Sequence, residues 1–329
     1  MKFPTSRLRN IATVVIAFVA VVCGISLVHD SALSQARLTR VVVPYPPGGI
    51  NESMMRVLAD QIGRQGGPSF VIEARPGAGT MIATEAVSRA VPDGNTILIV
   101  SNSFVINAHL KKLAYDPLTS FEPICGLWQS PMVLAVNSAS QYRTFADLLT
   151  AARARPGELT MGASGPATGF HIAFEQLKQA AHINMTFVPY GGAVPAVNAL
   201  LGDHIVSTIG DFGAMVEHLR SGKLRALATA RRTRIEALPE VPTVAESGFN
   251  EYEADGWYGL VAPAKTPRER ITVLTDWLTG ALRDFGVREK LAGAGLYPTS
   301  SCGASFGAHV RKQHEVYGRV IREANIKAE

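Results

Sequence analysis

Short β-branched runs alternate with helical periods along most of the chain, and Gly- and Pro-rich turns separate them. This alternation narrows the possible folds most, because parallel strands need a crossover of a dozen or more residues between them, usually a helix. Val41-Val42-Val43 reads as a buried strand, stopped by Pro44-Tyr45-Pro46-Pro47-Gly48-Gly49. A helix follows, with Met54, Val57, Leu58 and Ile62 on one face. Phe70-Val71-Ile72 is a second strand, Arg75-Pro76-Gly77-Ala78-Gly79 a turn, and a helix then runs through Ala86. After Pro92-Asp93-Gly94, residues 97–100 form a third strand. This βαβαβ order predicts a parallel sheet under helices, with right-handed crossovers.

A second series repeats the pattern, with strands at 133–136, 159–161, 187–188, 206–209 and 224–228. Helices fall near 171–180, 195–201 and 214–220, and Gly222 fits the C′ position of the last. Thr144-Phe145-Ala146-Asp147 reads as a capping box. Leu260-Val261-Ala262 is a return strand, and Thr266-Pro267-Arg268-Glu269 combines a Thr N-cap, Pro at N1 and Glu at N3. Helices dominate the remainder, ending with one near 306–324. The segments 134–136 and 257–261 are the candidate crossings between the two series.

The N-terminus is a separate unit. Lys2, Arg7 and Arg9 precede an uncharged apolar run from Ile11, and Ser34-Gln35-Ala36 offers a small-x-small cleavage site. Residues 1–36 read as a secretory signal peptide, the alternative being an uncleaved anchor at the lower limit of a membrane span. Cleavage removes Lys2, Arg7, Arg9 and Asp30, which lowers the net charge of +5 by two. The remaining charges are scattered, so a nucleic-acid face is not expected. Cys125 and Cys302 remain; export permits their pairing, but one buried and one loop thiol is the reading preferred. No Cys/His cluster has zinc spacing, and no metal or cofactor is expected.

Ligands of open α/β sheets bind at the carboxyl ends of the strands. Four strand-to-helix loops, at 46–53, 75–80, 162–168 and 190–193, are rich in Gly and small polar residues. Turn chemistry alone favours such residues, but several helix starts facing one cleft make an anion site. Nucleotide readings fail: no Gly-Lys-Ser/Thr follows Gly48-Gly49, and Ile82 stands where Gly77-Ala78-Gly79 would need a third Gly. Pro166 replaces the last Gly of a nucleophile elbow at Gly162-Ala163-Ser164-Gly165. An exported hydrolase with Ser164 as nucleophile, His171 and Asp211 being its conceivable partners, is the alternative from another class. Glu52 favours the dipole of the first helix, or faces a ligand. Phe104, Tyr190 and Trp257 are aromatic wall candidates that also suit core or hinge packing.

Together these segments resemble the Bug family, the tripartite tricarboxylate transporter substrate-binding receptors. The resemblance is carried by Val42-Val43-Pro44-Tyr45-Pro46-Pro47-Gly48-Gly49, Glu73-Ala74-Arg75-Pro76-Gly77-Ala78-Gly79 and Ala90-Val91-Pro92-Asp93-Gly94. Val188-Pro189-Tyr190, Gly222-Lys223-Leu224-Arg225-Ala226-Leu227-Ala228 and Leu238-Pro239-Glu240-Val241-Pro242-Thr243-Val244-Ala245-Glu246 follow, and Trp257-Tyr258-Gly259-Leu260-Val261-Ala262-Pro263 completes the set. The resemblance implies a periplasmic, non-catalytic solute receptor of the type II periplasmic-binding-protein fold. Its two α/β lobes, each a mostly parallel sheet flanked by helices, would be 37–134 with 260–329 and 135–259. It implies a monomer that closes on a small carboxylate and delivers it to membrane transporter subunits or a sensor kinase. The candidate ligand set is Pro47, Gly48, Gly49, Ile50, Asn51, Glu52, Gly77, Ala78, Gly79, Thr80, Ser101, Asn102, Ala163, Ser164, Gly165, Thr168, Tyr190, Gly191, Gly192 and Asp211.

The chain departs from the family pattern at three places. Gly48-Gly49-Ile50-Asn51-Glu52 has a bulky Ile50, and Glu52 where a shorter Asp is usual. Gly191 stands where the family usually has a Lys, and Val206 where it has an Asp. These changes point away from a dicarboxylate, toward a monocarboxylate or a bulkier, less charged ligand.

Overall fold

The computed structural model describes residues 38–165, 168–299 and 301–327. The predicted signal peptide, 1–36, lies outside them. From the N-terminus, β1 (Thr39–Val43), α1 (Ile50–Arg64), β2 (Phe70–Ala74), α2 (Met81–Ser88) and β3 (Thr96–Ser101) form the expected βαβαβ series. α3 (Asn102–Leu110) leads to a 17-residue strand, β4 (Phe121–Asn137). The second series is α4 (Phe145–Ala154), β5 (Thr160–Ser164), α5 (Gly169–Ala181), β6 (Thr186–Tyr190), α6 (Ala193–Leu201), β7 (Ser207–Asp211), α7 (Phe212–Arg220) and β8 (Leu224–Thr229). β9 (Asp255–Pro263), α8 (Arg268–Arg283), α9 (Phe285–Gly293), β10 (Tyr297–Pro298) and α10 (Ala304–Glu323) complete the chain.

The strand order is β2-β1-β3-β9-β4-β7-β5-β6, with β8 and β10 also paired to β4. Pairing is parallel at both ends, β2-β1-β3 and β7-β5-β6, and antiparallel wherever β9 or β4 takes part. β4 pairs with β9 from Phe121 to Pro131, then with β7 from Met132 and with β8 from Val133. One strand therefore belongs to both halves of the sheet.

Helices cover both faces, which is why the strands read as unbroken apolar runs. Alternate side chains go to opposite faces. Val41 and Val43 pack with Met55, Leu58 and Ile62 of α1 and Leu274 and Leu278 of α8, whereas Val42 packs with Val105 of α3 and Val320 of α10. In the other half Leu134 faces Leu148 and Phe174, and Val133 and Ala135 face Leu200 and Met215. In α1 the fully buried members are Met55, Leu58 and Ile62, so the stripe is rotated from the predicted face; Met54 and Val57 are only half-buried. Burying each such side chain contributes about 1.5–3 kcal/mol. The helix stops at Gly66, where φ is 80° and the Gly67 N–H reaches back to the Ile62 carbonyl.

The capping box at Thr144 and Asp147 forms as predicted, and Gly222 takes the C′ position with φ of 70°. The start of α8 differs. Pro267 occupies the N-cap position, and the Thr266 hydroxyl donates to the Pro263 carbonyl instead of capping. The cysteine reading is also corrected: Cys125 and Cys302 form a disulfide. Backbone bonds from Gly126 to Ser301 and from Gly303 to Ile124 lay residues 301–303 against β4, which holds the two Cα atoms 4.0 Å apart.

Candidate functional site

A cleft of about 850 Å³ opens at the carboxyl ends of β1, β3 and β7. Pro44, Tyr45, Pro46, the loop Pro76 to Met81, and Ser101, Asn102 and Ser103 line it from the first series. Asn107 and Lys111 of the α3 region, Met132, Thr168, Gly169, Phe170, Asp211, Gly256 and Tyr258 complete the wall. Helix starts at Met81, Asn102 and Gly169 lie on this lining, and first-turn N–H groups have no partner within their own helix. Such ends, with their positive dipole, favour an anion.

The loop from Gly77 to Thr80 is wound unusually. All four residues have positive φ, at 135°, 47°, 60° and 82°. For Thr80, which is β-branched, this costs on the order of 1–3 kcal/mol. Bonds from Asn107 Nδ2 to the Gly79 carbonyl (2.8 Å), from Thr80 N–H to the Gly77 carbonyl (3.1 Å) and from Thr84 Oγ1 to the Thr80 carbonyl (2.9 Å) hold it. Strain of this kind clusters at ligand clamps and active sites. Hydroxyls continue the wall: Tyr45 donates to Ser101 Oγ at 2.7 Å, Ser101 meets Ser103 at 3.1 Å, and Ser103 meets Thr80 at 3.2 Å. Burial pushes the Tyr45 phenol up to about 12, so it remains a neutral donor.

On the other side of the cleft, burial pushes Asp211 up to about 6, partly offset by a 2.6 Å bond from Ser130. Beneath it, Asp255 is raised by burial, with Arg231 at 3.1 Å opposing. Asn102 joins the wall to β9: its Nδ2 donates to the Asp255 carbonyl and the Tyr317 hydroxyl, and its Oδ1 accepts from the Trp257 N–H. Its side-chain amide is thus committed to holding the strand.

Of the sequence-predicted set, Gly77, Ala78, Gly79, Thr80, Ser101, Asn102, Thr168 and Asp211 line this cleft together. Pro47, Gly48, Gly49, Ile50, Asn51 and Glu52 form the turn into α1 just beyond Pro46 and are not part of its lining. Ile50 is 46% exposed, and Asn51 accepts from the Trp128 indole. Glu52 accepts from Arg56 and from the Gly48 N–H; the Arg56 bond is the main reason its carboxyl lies below the usual range. Ala163, Ser164, Gly165, Tyr190, Gly191 and Gly192 gather at the ends of β5 and β6, where Gly165 N–H donates to the Tyr190 carbonyl, also outside that lining. Phe104 and Trp257 are core residues. Sequence reasoning did not assign Tyr45, Ser103, Asn107, Lys111, Met132, Phe170 or Tyr258 to the wall. Tyr45 and Tyr258 lie within the segments that carry the family resemblance, Ser103 adjoins the predicted Asn102 and Phe170 lies near the predicted Thr168, and Asn107, Lys111 and Met132 carried no signal because tertiary folding alone brings them there.

A cleft walled by helix starts, beside a sheet whose halves share a strand, suits a solute-binding protein. Comparison with known proteins agrees. Residues 54–326 match the tripartite tricarboxylate transporter family receptor. The chain is 32% identical over 326 residues to Protein BugT of Bordetella pertussis, covering 98% of this chain and 99% of that one. It resembles the solved structures of the periplasmic binding protein BugD (28% identity, TM-score 0.72) and of R. palustris Rpa4515 with adipate (30% identity, TM-score 0.76). Each comparison covers 89% of this chain and 99% of the other. The chain belongs to the tripartite tricarboxylate transporter receptor family, a family of periplasmic solute-binding receptors. The hydrolase alternative finds no support: His171 stacks on Phe187 and faces Glu175, while Asp211 is bonded to Ser130.

Proposed function

We propose that the chain, exported and cleaved after 1–36, acts in the periplasm as a non-catalytic receptor for a small organic acid. A carboxylate is held by the loop Gly77 to Thr80, the junction of β3 and α3 at Ser101–Ser103 and the start of α5 at Thr168. The observation that carries this reading is the convergence of helix starts and a chain of hydroxyls on one wall of an open cleft. Neutral donors and ordered waters hold an anion without a buried Arg. The adipate bound to Rpa4515 supports a carboxylate ligand. The changes at Ile50, Glu52, Gly191 and Val206 that point away from a dicarboxylate lie outside the lining, so on their own they set no preference between mono- and dicarboxylates. The lobes, 37–134 with 260–329 and 135–259, close by bending where β4 and β9 cross. The acid then passes unchanged to membrane transporter subunits or a sensor kinase.

The test is the melting temperature of the purified protein against a panel of carboxylates, with the acid recovered afterwards. A ligand at about 100 times its dissociation constant adds about 2.7 kcal/mol, a clear upward shift. A shift with intact acid supports the receptor; no shift with any acid, or a chemically altered acid, rejects it.

A further inference from the structure

Asp211 holds a position that its local structure does not explain. It is the N-cap of α7, where an Asp side chain ordinarily accepts from the first-turn N–H groups, yet it makes no cap bond. Its carboxylate turns instead into the cleft, where Oδ1 accepts from Ser130 of the shared strand β4. Oδ2 has no protein donor among the described residues. The neighbouring cation, Arg231, is engaged by Asp255, and no cation pairs with Asp211 among the described residues. The cleft thus has two chemically different sides. The Gly77–Ser103 wall presents N–H and O–H donors with Lys111 beside them, and the Asp211 side presents an acceptor.

We propose that Asp211 is a specificity residue: the receptor selects acids that carry an ammonium or hydroxyl group in addition to the carboxylate, and discriminates against plain dicarboxylates. This deepens the receptor reading above and rests on it. A donor on the ligand satisfies Oδ2 once the ligand covers it. A second ligand carboxylate at the same place meets a like charge, and one of the two must take up a proton. A ligand that covers Oδ2 without offering a donor leaves that oxygen unsatisfied, which is a strong means of rejecting an analogue.

Calorimetric titration of wild type and Asp211→Asn with matched probes tests this. The aliphatic set is butanoate, 2-aminobutanoate, 4-aminobutanoate, 4-hydroxybutanoate, succinate and adipate, and the aromatic set is benzoate with its 4-amino and 4-hydroxy derivatives. Wild type is expected to bind at least one amino or hydroxy acid tenfold or more tighter than its unsubstituted parent and than either dicarboxylate. Asp211→Asn keeps the shape and the bond from Ser130; it should lose most of that preference and tolerate dicarboxylates better. The wild-type ranking is decisive even if the variant fails to fold. Preference for succinate, adipate or an unsubstituted acid overturns the inference and leaves the receptor intact. Failure to bind any acid overturns both.

Discussion

Gly126 and Gly259 face each other across β4 and β9, and Phe306 fills the space above them. A Cβ on Gly259 would lie 2.1 Å from the Phe306 ring, which is itself buried. Gly259→Ala should therefore cost about 1–3 kcal/mol by overpacking, read as a lower urea midpoint; an unchanged midpoint would show that the ring has room to move. Thr80 works in the opposite sense. Thr80→Gly relieves its positive φ but removes a hydroxyl from the cleft wall. Its melting temperature should hold or rise while carboxylate affinity falls at least severalfold; equal affinity contradicts the assigned wall. Asp211 sets a pH signature. Its pKa is about 6 when folded against an ordinary 3.8, so the folded state holds the proton more tightly. The group favours folding fully below pH 4, and that contribution is lost as pH rises toward 6. The stability of wild type minus Asp211→Asn should thus fall by about 2 kcal/mol between pH 4 and pH 7. Urea unfolding of both proteins at matched pH checks this, and a pH-independent difference contradicts it.

At the scale of elements, legibility mostly tracked how local the cause was, the start of α8 being the exception, where Thr266 stands next to its helix and does not cap it. The capping box at Thr144 and the stop at Gly222 depend on neighbours within five residues, and both formed as read. β4 did not show itself beyond 133–136, because Pro123, Gly126 and Pro131 interrupt its pattern. What keeps it extended is pairing with β9 and with Thr299, Ser301 and Gly303, which are distant in sequence. The disulfide was misjudged for the same reason: its cysteines are 177 residues apart, and only the seating of residues 301–303 on β4 brings them together. It clips the lead-in to α10 onto the shared strand. Replacing Cys125 by Ala and Cys302 by Ser should cost about 2–5 kcal/mol in equilibrium unfolding without changing the ligand ranking. Unchanged stability would mean that the backbone bonds there suffice.

For the whole molecule, the alternation of strands and helices was enough to announce two parallel α/β series. The antiparallel centre that joins them was visible only as two candidate crossings. The site was legible at the loop 75–80, at Ser101 and Asn102 and at Thr168, since glycine and helix starts leave a local mark, whereas the loops at 47–53 and 190–193 carry the same mark and lie outside the lining. It was illegible where Lys111, Met132 and Tyr258 reach the cleft from elsewhere in the fold. The central claim is that this cleft is the binding site of a receptor that takes up one organic acid and releases it unaltered. Titration calorimetry of the purified protein with the acid chosen by the melting screen, repeated on Thr80→Gly, tests this most directly. The account predicts saturation at one acid per chain, recovery of the same acid, and severalfold or greater weakening in the variant. No saturable binding, a changed acid, or identical affinity in the variant would contradict it.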